Sequence, residues 1–443
     1  MKKISLRHRF RIKLFFEGAA IGIFTGVIIS VLRFLLDQAD IFRPIYFENL
    51  SSGADFFVTF CGIVFLAIFL SKAMTFDKQV GGSGVPQIKG ILQDKTQMKN
   101  PLRLLVVKFT STVLAIGAGM SLGRAGVSVQ FGSCVGNFFS KIFQSHKEDA
   151  KILLAAGASA GLSAVFTAPL AGVIFCIEEL HKNFDAETLI ATVTASVSAA
   201  AVTKFGFGVR PIFETITAEP LTVPKILEVP TLEMLTMQTS ASLKIFLCFL
   251  LMSILLGMVG AFFTKSLLWS LGFFERLKLK LFYKILIPLI LIIPLGKFFP
   301  EILGCGNVLV DDLLNENFFL QTVLILFAGK FLYTLICFGT NVPGGVFLPL
   351  LTLGALGGNI FASAGVNLNL FSAELTSLFI IFGMAAMFAA VVKSPVTGSI
   401  LIMELTGQFS YLLSLIIISE AAFMTSDLLG GKPIFSALLK RKK

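Results

Sequence analysis

The stretch Ser121–Phe139, SLGRAGVSVQFGSCVGNFF, narrows most what this chain can fold into. Glycines at 123, 126, 132 and 136 punctuate an apolar run that carries no continuous helical stripe. Backbone that leaves the helix inside a bilayer must find its hydrogen bonds in protein or in a polar cavity. A glycine-rich turn feeding a helix start there aims free N–H groups at something negative. The same glycines also make a small-residue face for helix packing. On this stretch alone the two readings stand level.

The setting is a membrane. Of 443 residues, 55% are apolar and 14% charged, with 47 Phe, and the mean hydropathy is +0.87. These values exclude an ordinary soluble domain and call for many membrane segments. The formal charge of +11 does not point to nucleic acid, because phosphate tracking needs an extended basic surface. Here the basic residues sit in short segments beside apolar runs, as lipid headgroups and the positive-inside rule favour. The cysteines at 61, 134, 176, 248, 305 and 337 form no CxxC pair and read as small buried hydrophobes. His8, His146 and His181 are scattered, so no metal site is expected. The first apolar run exceeds the length of a cleavable signal.

In chain order, a basic segment over 1–13 leads into a membrane helix expected at about Phe15–Leu36, and a second follows at about Phe56–Ala73. The segment Gly81–Gly90, GGSGVPQIKG, is too short to span. Residues Ile152–Glu179 read as two short apolar pieces broken at Thr167-Ala168-Pro169. Glu214, Glu219, Glu228 and Glu233 outnumber Arg210 and Lys225, whereas 275–284 holds Arg276, Lys278, Lys280 and Lys284 against Glu275. Residues 301–316 hold Glu301, Asp311, Asp312 and Glu316 and no basic residue. The basic loop and both basic ends are therefore expected in the cytoplasm, and the acidic loops outside. The division expected is a first membrane repeat over 14–206, an external loop region over 207–240, a second repeat over 241–439 and a basic tail over 440–443.

The two halves resemble each other. At an offset of 222, Lys108, Phe109 and Thr112 meet Lys330, Phe331 and Thr334, and Gly123, Gly132, Gly136 and Asn137 meet Gly345, Gly354, Gly358 and Asn359. At an offset of 226, Gly157, Pro169, Gly172 and Glu178 meet Gly383, Pro395, Gly398 and Glu404. Bias toward small residues does not account for the Lys, Asn, Pro and Glu pairs. A duplication with both termini on one side implies inverted halves, and inverted repeats place a substrate site at the midplane where half-helix N-termini converge. Those termini favour an anion. The residues alone thus lead to an anion-transporting, all-α polytopic membrane protein. A polytopic membrane enzyme would need convergent catalytic groups at membrane depth, and no such set is visible.

Three motifs, GSGVP (Gly82, Ser83, Gly84, Val85, Pro86), GRAGV (Gly123, Arg124, Ala125, Gly126, Val127) and GVFLP (Gly345, Val346, Phe347, Leu348, Pro349), resemble the filter motifs of the CLC chloride channel and transporter family. The resemblance extends to Ala168–Leu180, Ser394–Thr406 and Gly430–Leu439. It implies the inverted-repeat CLC fold with tilted and broken helices, a homodimer with one anion pathway per subunit, and chloride as the transported ligand without any cofactor. It implies that the Ser83 hydroxyl and the N–H groups of Val346 and Phe347 bind the central anion, with chloride preferred over nitrate. An N-cap role for Ser83 is the alternative. Lack of a C-terminal regulatory domain resembles prokaryotic members and implies a bacterial plasma membrane.

Three departures stand out. The second motif of the family usually reads GREGP, its Glu serving as outer gate and proton carrier, yet this chain has Ala125 and Val127. The family's inner Tyr is Phe435 here. Glu179 matches the family's internal proton-transfer Glu, with a plain helix-end carboxylate as the alternative. Chloride movement uncoupled or weakly coupled to protons is therefore expected, and coupled chloride/proton antiport is the alternative. Lys108 and Lys330, inside apolar runs, either raise the local potential along the pathway or form structural pairs.

Overall fold

The computed structural model describes residues 2–182, 185–208, 213, 238–316 and 318–441. It is built of helices, and ten of them among the described residues are long and apolar enough to cross a membrane. In chain order the first half comprises α1 (Lys2–Glu48), α2 (Gly53–Phe76), α3 (Val85–Leu92), α4 (Pro101–Gly117), α5 (Ala125–Ile142), α6 (Lys147–Phe166), α7 (Pro169–Phe175) and α8 (Ala186–Phe207). The second comprises α9 (Gln238–Arg276), α10 (Leu281–Phe298), α11 (Asn307–Asn315), α12 (Leu320–Gly339), α13 (Phe347–Asn367), α14 (Thr376–Val392), α15 (Pro395–Thr406), α16 (Leu412–Leu428) and α17 (Ile434–Arg441).

Helix ends depart from the hydropathy reading for identifiable reasons. The first helix, expected over Phe15–Leu36, runs over 47 residues, or roughly 70 Å at 1.5 Å per residue. Apolarity marks only the part inside the hydrocarbon, about 30 Å thick. The basic residues before it and the mixed polar and apolar residues after it, 37–48, simply continue the helix. The second helix starts earlier than Phe56 because Ser52 and Asp55 form a capping box: Asp55 N–H donates to Ser52 Oγ (3.2 Å), and Ser52 N–H to Asp55 Oδ2 (2.9 Å). Cys134, Cys176, Cys305 and Cys337 are buried as expected, but Cys61 is exposed and Cys248 half-buried, since in lipid an outward helix face is as apolar as the core. Of the acidic loop over 207–240, the residues Arg210, Glu214, Glu219, Lys225, Glu228 and Glu233 lie outside the described residues.

The duplication is written into the packing. The helices α3 and α11, and likewise α5 and α13, begin 222 positions apart, while α7 and α15, and α8 and α16, begin 226 apart. Gly132 on α5 lies so close to Gly157 on α6 that a Cβ would run into its carbonyl, and Gly354 and Gly383 repeat this contact between α13 and α14. In lipid, close backbone approach through small residues supplies the packing that burial supplies in water. Glu178 accepts hydrogen bonds from Thr397 N (2.8 Å) and Oγ1 (2.5 Å) in the first turn of α15. Its repeat mate Glu404 accepts from Ala171 N (2.8 Å) and Leu170 N (3.2 Å) in the first turn of α7. Each half thus caps a helix of the other with a carboxylate, where orphan N–H groups and the helix dipole favour negative charge. Both glutamates have structural work of this kind.

Candidate functional site

Three helix starts meet where the halves join. Gly123 and Gly345 form an isolated antiparallel bridge, exchanging Gly123 N to Gly345 O (2.6 Å) and Gly345 N to Gly123 O (2.7 Å). The turn before α3 is tied to the other half by Gly82 N–H donating to Asn341 O (2.9 Å). Gly82 and Gly84 have φ of +74° and +100°, a region open to glycine and costly for residues with a Cβ. The carbonyls of this turn are bound from outside: Gln87 Nε2 donates to Gly81 O (2.7 Å) and Lys108 Nζ to Gly82 O (2.8 Å).

The N–H groups remain. Intrahelical bonding starts at Ile88 N to Gly84 O in α3, at Ser128 N to Arg124 O in α5 and at Leu350 N to Val346 O in α13. The N–H groups ahead of these have no helical acceptor, those of Val346 and Phe347 among them, and Pro86 and Pro349 carry none. Ser83 is 3% exposed. A Cβ added at Gly126 would run into its hydroxyl and one at Gly345 would stand 3.5 Å from it, and it has no hydrogen-bond partner among the described residues. Gly84 is the N-cap of α3, and no side chain caps that helix. Ser83 is therefore not an N-cap. A buried hydroxyl left unbonded costs about 1–3 kcal/mol, and this one lies beside the starts of α5 and α13.

Apolar groups surround these helix starts. Ala125, the first residue of α5, is fully buried, Val127 likewise, and Leu348 is 1% exposed. The Phe347 ring packs on Phe388 at 4.6 Å and Phe166 at 5.5 Å between centroids. Phe175 bridges it to Phe435, with centroids 6.1 and 6.3 Å away. Phe435 on α17 thus ends an aromatic line that runs from Phe347 through Phe175. On the other side of Ala125, Arg124 Nη1 donates to Asp37 Oδ1 on α1 (2.8 Å). The guanidinium is thereby committed to a carboxylate and is not offered to the site.

Lys108 and Lys330 are fully buried. Lys108 also donates to Gln130 Oε1 (2.5 Å), and Lys330 donates to Ile302 O and Gly304 O, both at 2.9 Å. Each lysine therefore steadies a glycine turn ahead of a short helix. Sequence reasoning did not connect these turns. Gly82-Ser83-Gly84 recurs 222 positions on as Gly304-Cys305-Gly306, with φ of +67° and +92° at its glycines. Extending the repeat backwards from Lys330 would have found it.

Glu179 lies in a π-helical turn, Cys176–His181, directly after α7. It is 2% exposed and paired with Lys89 on α3 at 2.5 Å, a partner that the spacing in sequence did not reveal. Just beyond α3, hydrogen bonds from Lys151 (2.8 Å), with Lys147 adding its own (3.0 Å), hold the Asp94 carboxylate below its ordinary range. They pin the C-terminal end of α3, the helix that follows Ser83.

These geometries find close counterparts. Residues 62–427 match the model of the family described as voltage gated chloride channel. The H(+)/Cl(-) exchange transporter ClcA of Vibrio cholerae serotype O1 is 35% identical over 394 residues, which is 86% of this chain and 78% of that one. ClcA of Salmonella agona is 30% identical over 465 residues, covering 100% and 91%. The crystal structure of a slow cyanobacterial Cl-/H+ antiporter superposes with a TM-score of 0.85 at 28% identity over 97% of each chain. The chain belongs to the voltage gated chloride channel family, the CLC family of chloride channels and transporters.

Proposed function

We propose that this chain carries chloride across a bilayer along a route that passes the Ser83 hydroxyl, the N–H groups of Val346 and Phe347, and the Phe435 ring. The observation that carries this reading is the buried, unpartnered Ser83 hydroxyl among three helix starts. Neutral donors and helix dipoles stabilise a halide yet let it leave, where a fixed cation would trap it. The motif residues Gly82, Gly84, Gly123, Gly126 and Gly345 let the backbone come this close, and Arg124 stays out of the route through Asp37.

Exchange for protons is the reading that the names of the relatives support. Glu179 is then the group that takes up protons on the inner side. A second reading, chloride movement uncoupled from protons, rests on one specific observation. Ala125 occupies the start of α5, and a methyl group neither holds a proton nor competes with an anion for the route. Reversal potentials in reconstituted membranes under crossed chloride and proton gradients separate the two. A potential displaced from chloride equilibrium by the proton gradient supports exchange, and one that tracks chloride alone supports the uncoupled reading.

We also propose a homodimer in a bacterial plasma membrane, with both termini in the cytoplasm. The helices α7, α8, α15 and α16 turn Leu170, Val197, Val396 and Leu413 outward, an apolar face that suits a second copy. The mass of the detergent-solubilised protein tests this.

A further inference from the structure

The buried ion pair between Lys89 and Glu179 has a third member. Lys89 Nζ donates to Glu179 Oε1 (2.5 Å) and also to Ser436 Oγ (2.8 Å). Ser436 follows Phe435, the ring at the end of the aromatic line, and Lys89 lies about 6 Å along α3 from Val85 at 1.5 Å per residue. One ammonium therefore joins the helix that starts at the anion site, the turn that carries Glu179 and the helix that carries Phe435. Lys89 and Glu179 are each only 2% exposed.

A pair buried this deeply is neutral only while both partners keep their charges. Removing one charge leaves the other without compensation in a poorly solvated place, the costly situation for a buried pair. The charged neighbours do not change this. Lys182 and Glu178 act on Glu179 from its own stretch of chain, and Glu178 is committed to the first turn of α15. Lys95 and Lys182 act on Lys89. The helix α7 and the part of α6 from 152 to 166 carry no ionisable side chain, the turn of Glu179 also holds His181, α17 holds Lys440 and an Arg441 paired with Glu275, and α5 and its N-cap hold Lys141 and an Arg124 paired with Asp37.

We propose that Lys89 is a positioning residue for chloride entry: its ammonium, shared between Glu179 and Ser436, draws the anion to the Phe435 end of the route once Glu179 is protonated. With Glu179 ionised, the carboxylate cancels the ammonium and the inner end offers chloride no net attraction. A proton from the cytoplasmic water adds to a Glu179 oxygen and no other bond changes. The carboxyl stays hydrogen-bonded, and Ser436 keeps the ammonium beside Phe435. This inference rests on the chloride reading and gives Glu179 an action on the anion that needs no carboxylate at position 125.

The test is chloride efflux from proteoliposomes at equal pH on both faces, from pH 8 to pH 5, for the wild type, E179Q, K89M, K89R and K89M/E179Q. Wild-type flux should rise roughly tenfold as pH falls, the order expected for one unit charge acting over about 12 Å at an effective dielectric of about 20. E179Q should run near the acid level at every pH, and K89M/E179Q should run near the alkaline level at every pH. K89R should keep the wild-type profile. The double variant removes both charges together, so it remains informative if K89M alone fails to fold. Equal flux in E179Q and K89M/E179Q would overturn the proposal, as would a wild-type profile that is flat with pH. Absence of chloride efflux from the wild type at every pH would overturn the transport reading itself.

Discussion

The turn at Gly82–Gly84 and the turn at Gly304–Gly306 have the same backbone and different chemistry. Both place two glycines at positive φ, both lead into a short helix, and in both a buried lysine binds the first glycine's carbonyl. Between the glycines one turn has Ser83 and the other Cys305. Ser83 points its hydroxyl at the place where α5 and α13 begin, whereas Cys305 is a buried thiol. Duplication supplied two equivalent scaffolds, and in the reading proposed above one side chain, set where α5 of its own half and α13 of the other begin, makes a site of one of them. The shape of such a turn comes from glycine and lysine, and its function from what converges on it.

The comparison breaks most visibly at the packing glycines. Gly132→Val and Gly354→Val each push a side chain into a facing carbonyl, at Gly157 and Gly383. Each should cost about 3 kcal/mol or more, the upper range of overpacking, and both should lose most of the folded protein on size exclusion in detergent. If one is tolerated, the two halves do not pack alike.

The reciprocal caps should be equal too. Glu178→Gln and Glu404→Gln each replace charge-assisted bonds to a helix start with neutral ones, at about 1–2 kcal/mol. The two thermal midpoints should fall together. A loss confined to one variant would mean that the capping is one-sided.

Ala125 and Phe347 begin repeat-related helices, and the family resemblance puts a carboxylate at the former. Ala125→Glu should lower chloride flux at pH 7.5 by about tenfold, equivalent to 1.4 kcal/mol, because the carboxylate competes for the donors that bind the anion. The flux should recover as the medium is acidified and the new side chain becomes neutral. A ratio of variant to wild-type flux that does not change with pH would remove Ala125 from the route.

Much of this was legible in the sequence because glycine, proline and membrane-embedded charge leave few options. The broken segments, the repeat and the structural role of Glu178 can all be read from spacing. The extent of α1 cannot, because hydropathy reports the bilayer and says nothing of where a helix continues into water. Nor can the partner of Glu179. Lys89 stands 90 positions away, and an ion pair between two helices that meet only in the fold leaves no periodic trace. Cys305 as the counterpart of Ser83 was within reach, but the two turns share only their glycines, and the eye follows the residues that carry function.

The claim that one of the two matched turns carries the anion is tested most directly by chloride efflux from proteoliposomes containing Ser83→Ala or Cys305→Ala. Removing the Ser83 hydroxyl deletes a donor to the anion worth about 1.5 kcal/mol, a lower-range value for a bond to a charged group. Ser83→Ala should therefore slow efflux by about tenfold without lowering thermal stability, as expected for a buried hydroxyl that bonds nothing else among the described residues. Cys305→Ala should leave efflux within about twofold. Equal losses in the two variants, or unchanged efflux in Ser83→Ala, would contradict the account.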